Sequence, residues 1–380
     1  MRACRPARRD GTQRRSSSLP RHGRVPALWR PGARKAVACR RRAGAERPRS
    51  ERRTERPRRG DAGLPTVRKE DGAARPFLKW AGGKSQLLPA FSGCFPAELG
   101  RGGVRRYVEP FVGSGAVWLA VAQQYPGVEL VIGDLNPALM ATYRALQEDV
   151  EAVVAPLEAW QAAYWAADEA GRKALFYEVR EAFNAGLARG DESAAQAARF
   201  VFLNRTGFNG LFRVNAAGRF NVPPGRYRRP RIADAPNLRR VAAVLRRTRI
   251  VAGDYRQMDR WIGPGTFVYC DPPYRPLSRT ASFTAYIPEG FDDDAQRRLA
   301  AACRAWADAG AWVMVSNADP RNTDPDDRFF ETIYPGFWFA RVSARRSINA
   351  RPDRRGPVRE LVITSYPPPG VEAVRVFTPR

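Results

Sequence analysis

Between Arg106 and Asp134 the chain reads as one βαβ unit, and that unit limits the possible folds more than any other stretch of the sequence. RYVEPFVGSG (106–115) is a short strand delivering into a glycine turn, AVWLAVAQQY opens a helical pattern, and ELVIGD (129–134) is a second strand. Two strands joined through a helix lie parallel in one sheet, with a right-handed crossover as the strong default. More strand text follows at RIVAGD (249–254), TFVYCDPPY (266–274), AWVMVSN (311–317) and ELVITSY (360–366). The sheet-forming segments flank a different module: residues 146–200 are Ala/Glu/Arg-rich helical text, and 202–231 is a Gly/Asn/Pro/Arg-rich segment of loops or a hairpin. No internal repeat is evident. An α/β architecture follows.

Charge narrows the partners. The 380 residues carry 65 Lys+Arg against 38 Asp+Glu, a net of +27, which points to a polyanion or a basic tail. Residues 1–75 hold 24 Lys+Arg and 7 Asp+Glu, a surplus of 17, so the rest of the chain keeps +10 and still favours nucleic acid. This first segment is rich in Arg, Ser, Pro and Gly without apolar periodicity, and is expected to be a disordered basic tail. Three origins stay open for it: a tail adding nonspecific DNA affinity, an organelle transit peptide, or translation from upstream of the true start. The 60 arginines against 5 lysines suit a GC-rich genome, and Val67 could then be a GTG start.

The five cysteines (Cys4, Cys39, Cys94, Cys270, Cys303) show no C-x-x-C pairing, so neither a disulfide framework nor a zinc site is expected, and a reducing compartment fits. The single histidine, His22, lies in the tail, so the body has no imidazole for acid–base work, a Ser-His-Asp triad or metal binding. No apolar run approaches the roughly 18 residues of a membrane span, and no membrane partner is expected.

Two clusters carry chemistry. Glu109-Pro110-Phe111-Val112-Gly113-Ser114-Gly115 puts two glycines ahead of a helix N-terminus, where a backbone approaches a ligand closely. Asp134 ends the next strand, where a carboxylate can accept both hydroxyls of a ribose. An adenosine-containing cofactor is suggested, with a merely structural turn as the alternative. The full G-x-G-x-x-G is absent, because Ala116-Val117-Trp118 follows Gly115, so a pyrophosphate cofactor is disfavoured.

The sharper signal is Asp271-Pro272-Pro273-Tyr274 after the apolar run Phe267-Val268-Tyr269-Cys270. The exocyclic amino group of a base is a poor nucleophile because its lone pair is delocalised into the ring. Two acceptors, the Asp271 carboxylate and the Pro272 carbonyl, can hold its hydrogens and draw the nitrogen toward tetrahedral geometry. The prolines stiffen the turn and Tyr274 offers a face for stacking. A rigid turn with a capping Asp is the structural alternative.

These blocks resemble the Dam-type (D12 class) DNA adenine-N6 methyltransferases. The resemblance runs from about Arg75 to Tyr366: Phe77-Leu78-Lys79-Trp80-Ala81-Gly82-Gly83-Lys84, the 109–115 turn, Leu203-Asn204-Arg205-Thr206-Gly207-Phe208-Asn209-Gly210-Leu211, Phe220-Asn221-Val222-Pro223, Gly225-Arg226-Tyr227, YCDPPYRPLS (269–278), FTAY (283–286) and Arg346-Ser347-Ile348. It implies a Rossmann-like S-adenosylmethionine-dependent methyltransferase fold with an inserted, mainly helical target-recognition domain. Residues 76–145 and 246–366 would form the catalytic domain, 146–245 the recognition domain, and 1–75 and 367–380 the tails.

Position by position, the resemblance assigns Asp271, Pro272 and Tyr274 to catalysis. Trp80, Ala81, Gly82, Lys84, Glu109, Pro110, Phe111, Gly113, Gly115, Asp134, Asp254 and Asp271 go to the cofactor, although a strand-end Asp254 is also a common turn residue. Lys79, Phe208, Asn209, Leu211, Arg213, Pro223 and Tyr227 go to DNA. Arg213, with Lys79 second, is the candidate for reading guanine, a phosphate contact being the alternative.

Two features depart from the pattern: Phe208 stands where relatives often carry tyrosine, and Asn317-Ala318-Asp319 stands where many have Asn followed by His. Arg345–Ile348 and the arginine-rich run from Arg351 to Arg359 suggest a flexible loop near phosphate or a solvated charged loop. What the resemblance implies is methyl transfer from S-adenosylmethionine to adenine-N6 in double-stranded DNA, within GATC, by a monomer without a metal, in a bacterial or phage cytoplasm on the nucleoid. Host maintenance, restriction–modification and phage roles stay open. Another planar amine (cytosine-N4, RNA adenine, a glutamine amide) is the enzymatic alternative, and a basic DNA-binding protein without catalysis is the non-enzymatic one.

Overall fold

The computed structural model describes residues 72–275, 291–344 and 358–377. The basic segment through residue 71, with Cys4, His22, Cys39 and Val67, lies outside the described residues. So do residues 276–278 of the Asp-Pro-Pro-Tyr run, the FTAY segment and the stretch from Arg345 through residue 357. Ala74 and Arg75, which the sequence placed in the tail, belong to the folded body. The Gln123 amide exchanges two hydrogen bonds with the Ala74 backbone, and the buried Asn237 amide, which needs partners, exchanges two with that of Arg75.

Eight strands form one sheet: β1 (Arg106–Glu109), β2 (Glu129–Asp134), β3 (Thr248–Ala252), β4 (Thr266–Cys270), β5 (Trp312–Ala318), β6 (Trp338–Ala344), β7 (Val358–Thr364) and β8 (Ala373–Arg375), in the order β3-β2-β1-β4-β5-β7-β6-β8. The first five pair in parallel and β7 runs antiparallel between β5 and β6. The βαβ expectation over 106–134 holds, with α3 (Ala116–Gln124) as its crossover. WFARVSA (β6) escaped the sequence reading because Arg341 and Ser343 interrupt its apolar pattern. The three-residue β8 lies within the segment read as a C-terminal tail and pairs with β6.

Alternation decides what each strand shows to each face. Tyr107, Leu130, Ile132, Phe267, Tyr269, Met314 and Val362 join one core, and Val108, Val131, Val268, Cys270, Val313, Val315, Leu361 and Ile363 join the other. The second core is closed by α9 (Asp293–Asp308) through Leu299, Ala300, Cys303 and Trp306, with Phe330 of α10 (Phe329–Ile333).

The first core continues without a break into the helices. α1 (Leu88–Ser92) and α2 (Ala97–Arg101) precede β1, and α4 (Pro137–Glu148), α5 (Val150–Ala166), α6 (Glu169–Ala188), α7 (Ala194–Thr206) and α8 (Ala235–Leu245) lie between β2 and β3. Phe176, Phe183, Phe200 and Phe202 of this helical block share a core with Leu130 and Ile132 of the sheet. Asn136, Asp149, Asp168 and Ser193 cap the N-termini of α4 to α7 with side-chain oxygens, which sets where each helix starts. Residues 207–224 fold back as a loop closed by the bridges Gly207–Pro224 and Val214–Phe220. Phe212 and Phe220 seat that loop on Phe200 and Phe183. Among the described residues no helix is long and apolar enough to cross a membrane.

Candidate active site

The strand order reverses between β1 and β4, and a parallel sheet opens a crevice at the carboxyl ends of its strands where that happens. The two chemical clusters of the sequence sit there, one after each strand. After β1, Gly113 and Gly115 take left-handed backbone conformations (φ +47° and +73°). A Cβ on Gly113 would meet the Trp80 ring at 2.8 Å, and one on Gly115 the Trp118 ring at 2.7 Å, so side chains are excluded on both counts. Tyr143 of α4 donates to the Gly113 carbonyl at 2.9 Å, and the Gly113 N–H donates to Asp134 Oδ2 at 3.1 Å. The other Asp134 oxygen accepts from Asn136 N–H at 2.9 Å, and burial pushes this carboxyl up to about 6.

After β4, the Asp271 carboxylate is held from two sides. Ser316 of β5 donates to Oδ1 at 2.9 Å, with the Tyr269 hydroxyl 2.9 Å behind Ser316, and the Lys84 ammonium lies 2.8 Å from Oδ2. Lys84 is almost fully buried, donates to the Gly82 carbonyl at 2.7 Å and sits 4.6 Å from the centre of the Tyr274 ring. Glu109 at the end of β1 is buried and accepts from Tyr107 at 2.6 Å. Burial pushes its carboxyl well above the usual range, Tyr107 opposes that and Asp271 adds to it. Beyond Tyr274, Arg275 forks onto Asp293 and also reaches Asp327, with its guanidinium over Phe329. Gln296 of α9 donates to the Pro273 carbonyl at 3.0 Å. The Asp-Pro-Pro-Tyr turn is thereby fixed on both flanks.

Phe111 packs on Tyr255 (5.7 Å) and Phe291 (6.0 Å), and Pro110 is buried in the turn. Asp254 caps the turn that follows β3 and accepts from Arg256 N–H at 3.0 Å and Nε at 2.7 Å. Ala81 and Gly82 are exposed.

The residues read as DNA-binding form a second group. Lys79 lies 3.7 Å over the Tyr227 ring and donates to the Arg205 carbonyl at 3.2 Å. Burial first, and the Arg205 charge second, lower it to about 8. Phe208 is half exposed and donates its N–H to the Pro223 carbonyl at 2.9 Å. Asn209 and Gly210 are both left-handed, and a Cβ on Gly210 would meet Lys79 Cβ at 2.3 Å. Leu211 packs against the core, while exposed Arg213 donates from Nε to Asn221 at 2.8 Å.

Several residues of the site had no role in the sequence reading. Ser316, Tyr269 and Glu360 were strand text only, and Asn204 was a letter in a matching block. The signal available was a polar residue at an inward position near the functional end of an apolar strand, which marks Ser316 and Glu360.

The fold and this crevice define an α/β chain of methyltransferase type. Residues 80–348 match the family of D12 class N6 adenine-specific DNA methyltransferases, and the chain belongs to it. It is 42% identical over 293 residues to "Type II methyltransferase M.MjaIII" of Methanocaldococcus jannaschii, covering 77% of this chain and 99% of the relative. It is 33% identical over 294 residues to "DNA adenine methylase" of Vibrio cholerae, covering 77% and 96%, and 32% identical over 299 residues to that of Escherichia coli K12, also covering 77% and 96%.

Asn204 couples the two residue groups. Its buried amide accepts from Lys79 N–H at 2.8 Å and donates to the Lys79 carbonyl at 2.7 Å and the Gly210 carbonyl at 2.8 Å. Asn204→Ala strands three buried backbone groups and is expected to cost about 3 kcal/mol in denaturant unfolding, with weakened DNA binding. A loss below about 0.5 kcal/mol would show that the staple contributes nothing.

Proposed function

We propose that this enzyme transfers a methyl group from S-adenosyl-L-methionine to the N6 amino group of adenine in duplex DNA, within GATC. The observation that carries the reading is the Asp271 carboxylate, fixed at the end of β4 by Ser316 and Lys84 and facing the glycine turn of β1. A carboxylate has about four acceptor positions, so two bonds already made leave room for an N6–H. The Pro272 carbonyl takes the second hydrogen, and the base stacks on Tyr274 after rotating out of the duplex, since its amino group is unreachable inside the helix.

The donor set fits the cofactor. The Asp271 carboxylate pairs with the Lys84 ammonium, and the Asp134 carboxyl stands on the Gly113 N–H of the glycine turn. Asp134 keeps acceptor positions for two ribose hydroxyls. Trp80, Ala81, Gly82, Lys84, Glu109, Pro110, Phe111, Gly113, Gly115 and Asp254 complete the set of residues that would hold it. When bound, S-adenosylmethionine supplies a methyl on a sulfonium, which the N6 lone pair takes as the S–C electron pair returns to sulfur. The protonated N6 that results is strongly acidic, and Asp271 can receive its proton without any imidazole in the body.

Lys79, Phe208, Asn209, Leu211, Arg213, Pro223 and Tyr227 form the DNA-facing set in this reading. Phe208 offers an exposed ring to the base stack, and Asn221 steers the Arg213 guanidinium toward a guanine edge. GATC rests on the resemblance of the recognition segment to Dam-type enzymes. Residues 146–245 are read as the recognition module, and relatives named DNA adenine methylase support adenine in DNA over the other planar amines.

Labelled methyl transfer to duplexes with and without GATC, followed by identification of the modified base, tests the reading. N6-methyladenine in the GATC duplex alone is expected; methylation elsewhere retires the GATC assignment, and no transfer to any DNA retires the function. Asp271→Ala is expected to slow the transfer by about a hundredfold to a thousandfold while cofactor and DNA still bind. Turnover near the wild-type rate would refute its role. Because ribose hydroxyls need an ionised acceptor, cofactor affinity is expected to fall as the pH drops through about 6. Asp134→Asn should bind more weakly and lose that dependence in calorimetric titrations, and an unchanged pH profile in this variant would exclude Asp134 as the titrating group.

A further inference from the structure

Glu360 has no part in the reaction as described, yet it is tied to the stacking residue. It lies near the start of β7, the one strand among the six from β3 through β7 in sheet order that runs against the parallel direction. That reversal brings the beginning of β7 to the edge where β4 and β5 end: Glu360 stands in register with Ala318, the last residue of β5. Alternation along β7 then turns Glu360 toward the same face as Val362, the face that carries Tyr269, Ser316 and Glu109 on neighbouring strands. The Tyr274 hydroxyl donates to Glu360 Oε2 at 2.5 Å.

A hydrogen bond from a phenol to a carboxylate does two things. It restrains the ring, because rotation about χ1 would carry the hydroxyl away from its acceptor and a phenol O–H prefers to lie in the plane of its ring. It also draws the hydroxyl proton toward the carboxylate and enriches the ring in electron density. Burial and the nearby Asp271 and Glu360 carboxylates hold the phenol protonated, so it remains a donor. The ring already attracts a cation, with the Lys84 ammonium 4.6 Å from its centre. In the proposed transfer the N6–CH3 bond forms as the S–CH3 bond breaks, and positive charge develops on the base nitrogen while the base stacks on this ring. An electron-rich face stabilises that charge in the transition state more than in the ground state, which is the condition for raising kcat.

We infer that Glu360 is a positioning residue for adenine methylation: through the Tyr274 hydroxyl it fixes and polarises the aromatic face on which the target base stacks. The inference rests on the adenine-N6 reaction proposed above. A double-mutant cycle on the full chain tests it, reading single-turnover methyl transfer at saturating DNA and cofactor for wild type, Glu360→Ala, Tyr274→Phe and the double variant. Each single change is expected to lower the rate about tenfold with KM little altered. The double variant is expected to match the singles, because one hydrogen bond is lost in all three. Glu360→Gln keeps an acceptor, and should recover part of the rate at unchanged thermal stability.

Multiplicative losses in the double variant, or a Glu360→Gln enzyme as slow as Glu360→Ala at equal stability, would overturn the role. A wild-type chain that methylates no adenine would overturn the function and this role together. A methylating wild type with a multiplicative cycle would overturn the role alone.

Discussion

The buried ion pair of Lys84 with Asp271 is the contact on which the site's geometry depends. An ammonium 4% exposed has lost nearly all its hydration, and in this fold it recovers that loss from the Asp271 carboxylate, the Gly82 carbonyl and the face of Tyr274. Such pairs add little net stability, but removing one partner typically costs about 3–5 kcal/mol because the other is left buried and uncompensated. The pair therefore acts as a register pin. It fixes the segment before α1 against the turn after β4, so two stretches nearly two hundred residues apart in sequence close one crevice.

Around this pin the sheet supplies the rest through its period of two. Glu109 on β1, Tyr269 on β4, Ser316 on β5 and Glu360 on β7 occupy inward positions of strands that neighbour one another, and each polar group finds its partner on the adjacent element. A one-residue slip of β5 would turn Ser316 into the opposite core and bring Val315 or Asn317 beside Asp271. Catalytic geometry in this chain is thus a consequence of strand register, which the apolar alternation on both faces enforces.

Much of this was legible in the sequence, and what was not has physical causes. The βαβ unit was readable because its strands are buried on both faces and a glycine turn leads from the first strand into the helix. Asp271 through Tyr274 was readable as a stiff turn because two prolines follow an apolar strand, and it does follow β4. β6 was not, since Arg341 and Ser343 break its pattern; Arg341 is tolerated there because it bonds to buried Asp319 and to Glu331. The boundary at residue 75 was misplaced because backbone capture by Gln123 and Asn237 leaves no local signature. The partners of Asp271 and Tyr274 were invisible for a similar reason: Ser316 and Glu360 lie 45 and 86 residues away, and only sheet order brings them together.

The distribution of charge follows the same logic as the site. The chain is strongly basic overall, yet at the crevice the buried Lys84 is matched by Asp271, with Glu109 close by. Lys79, close to Arg205, is lowered to about 8, and Asp134, buried beside the glycine turn, is raised to about 6. The Lys79–Asn204–Gly210 staple ties the loop that bears Phe208 to the segment that carries Trp80 and Lys84. The Phe208 loop is thereby held, through three hydrogen bonds from one side chain to backbone atoms, against the backbone five residues before the ammonium that holds Asp271.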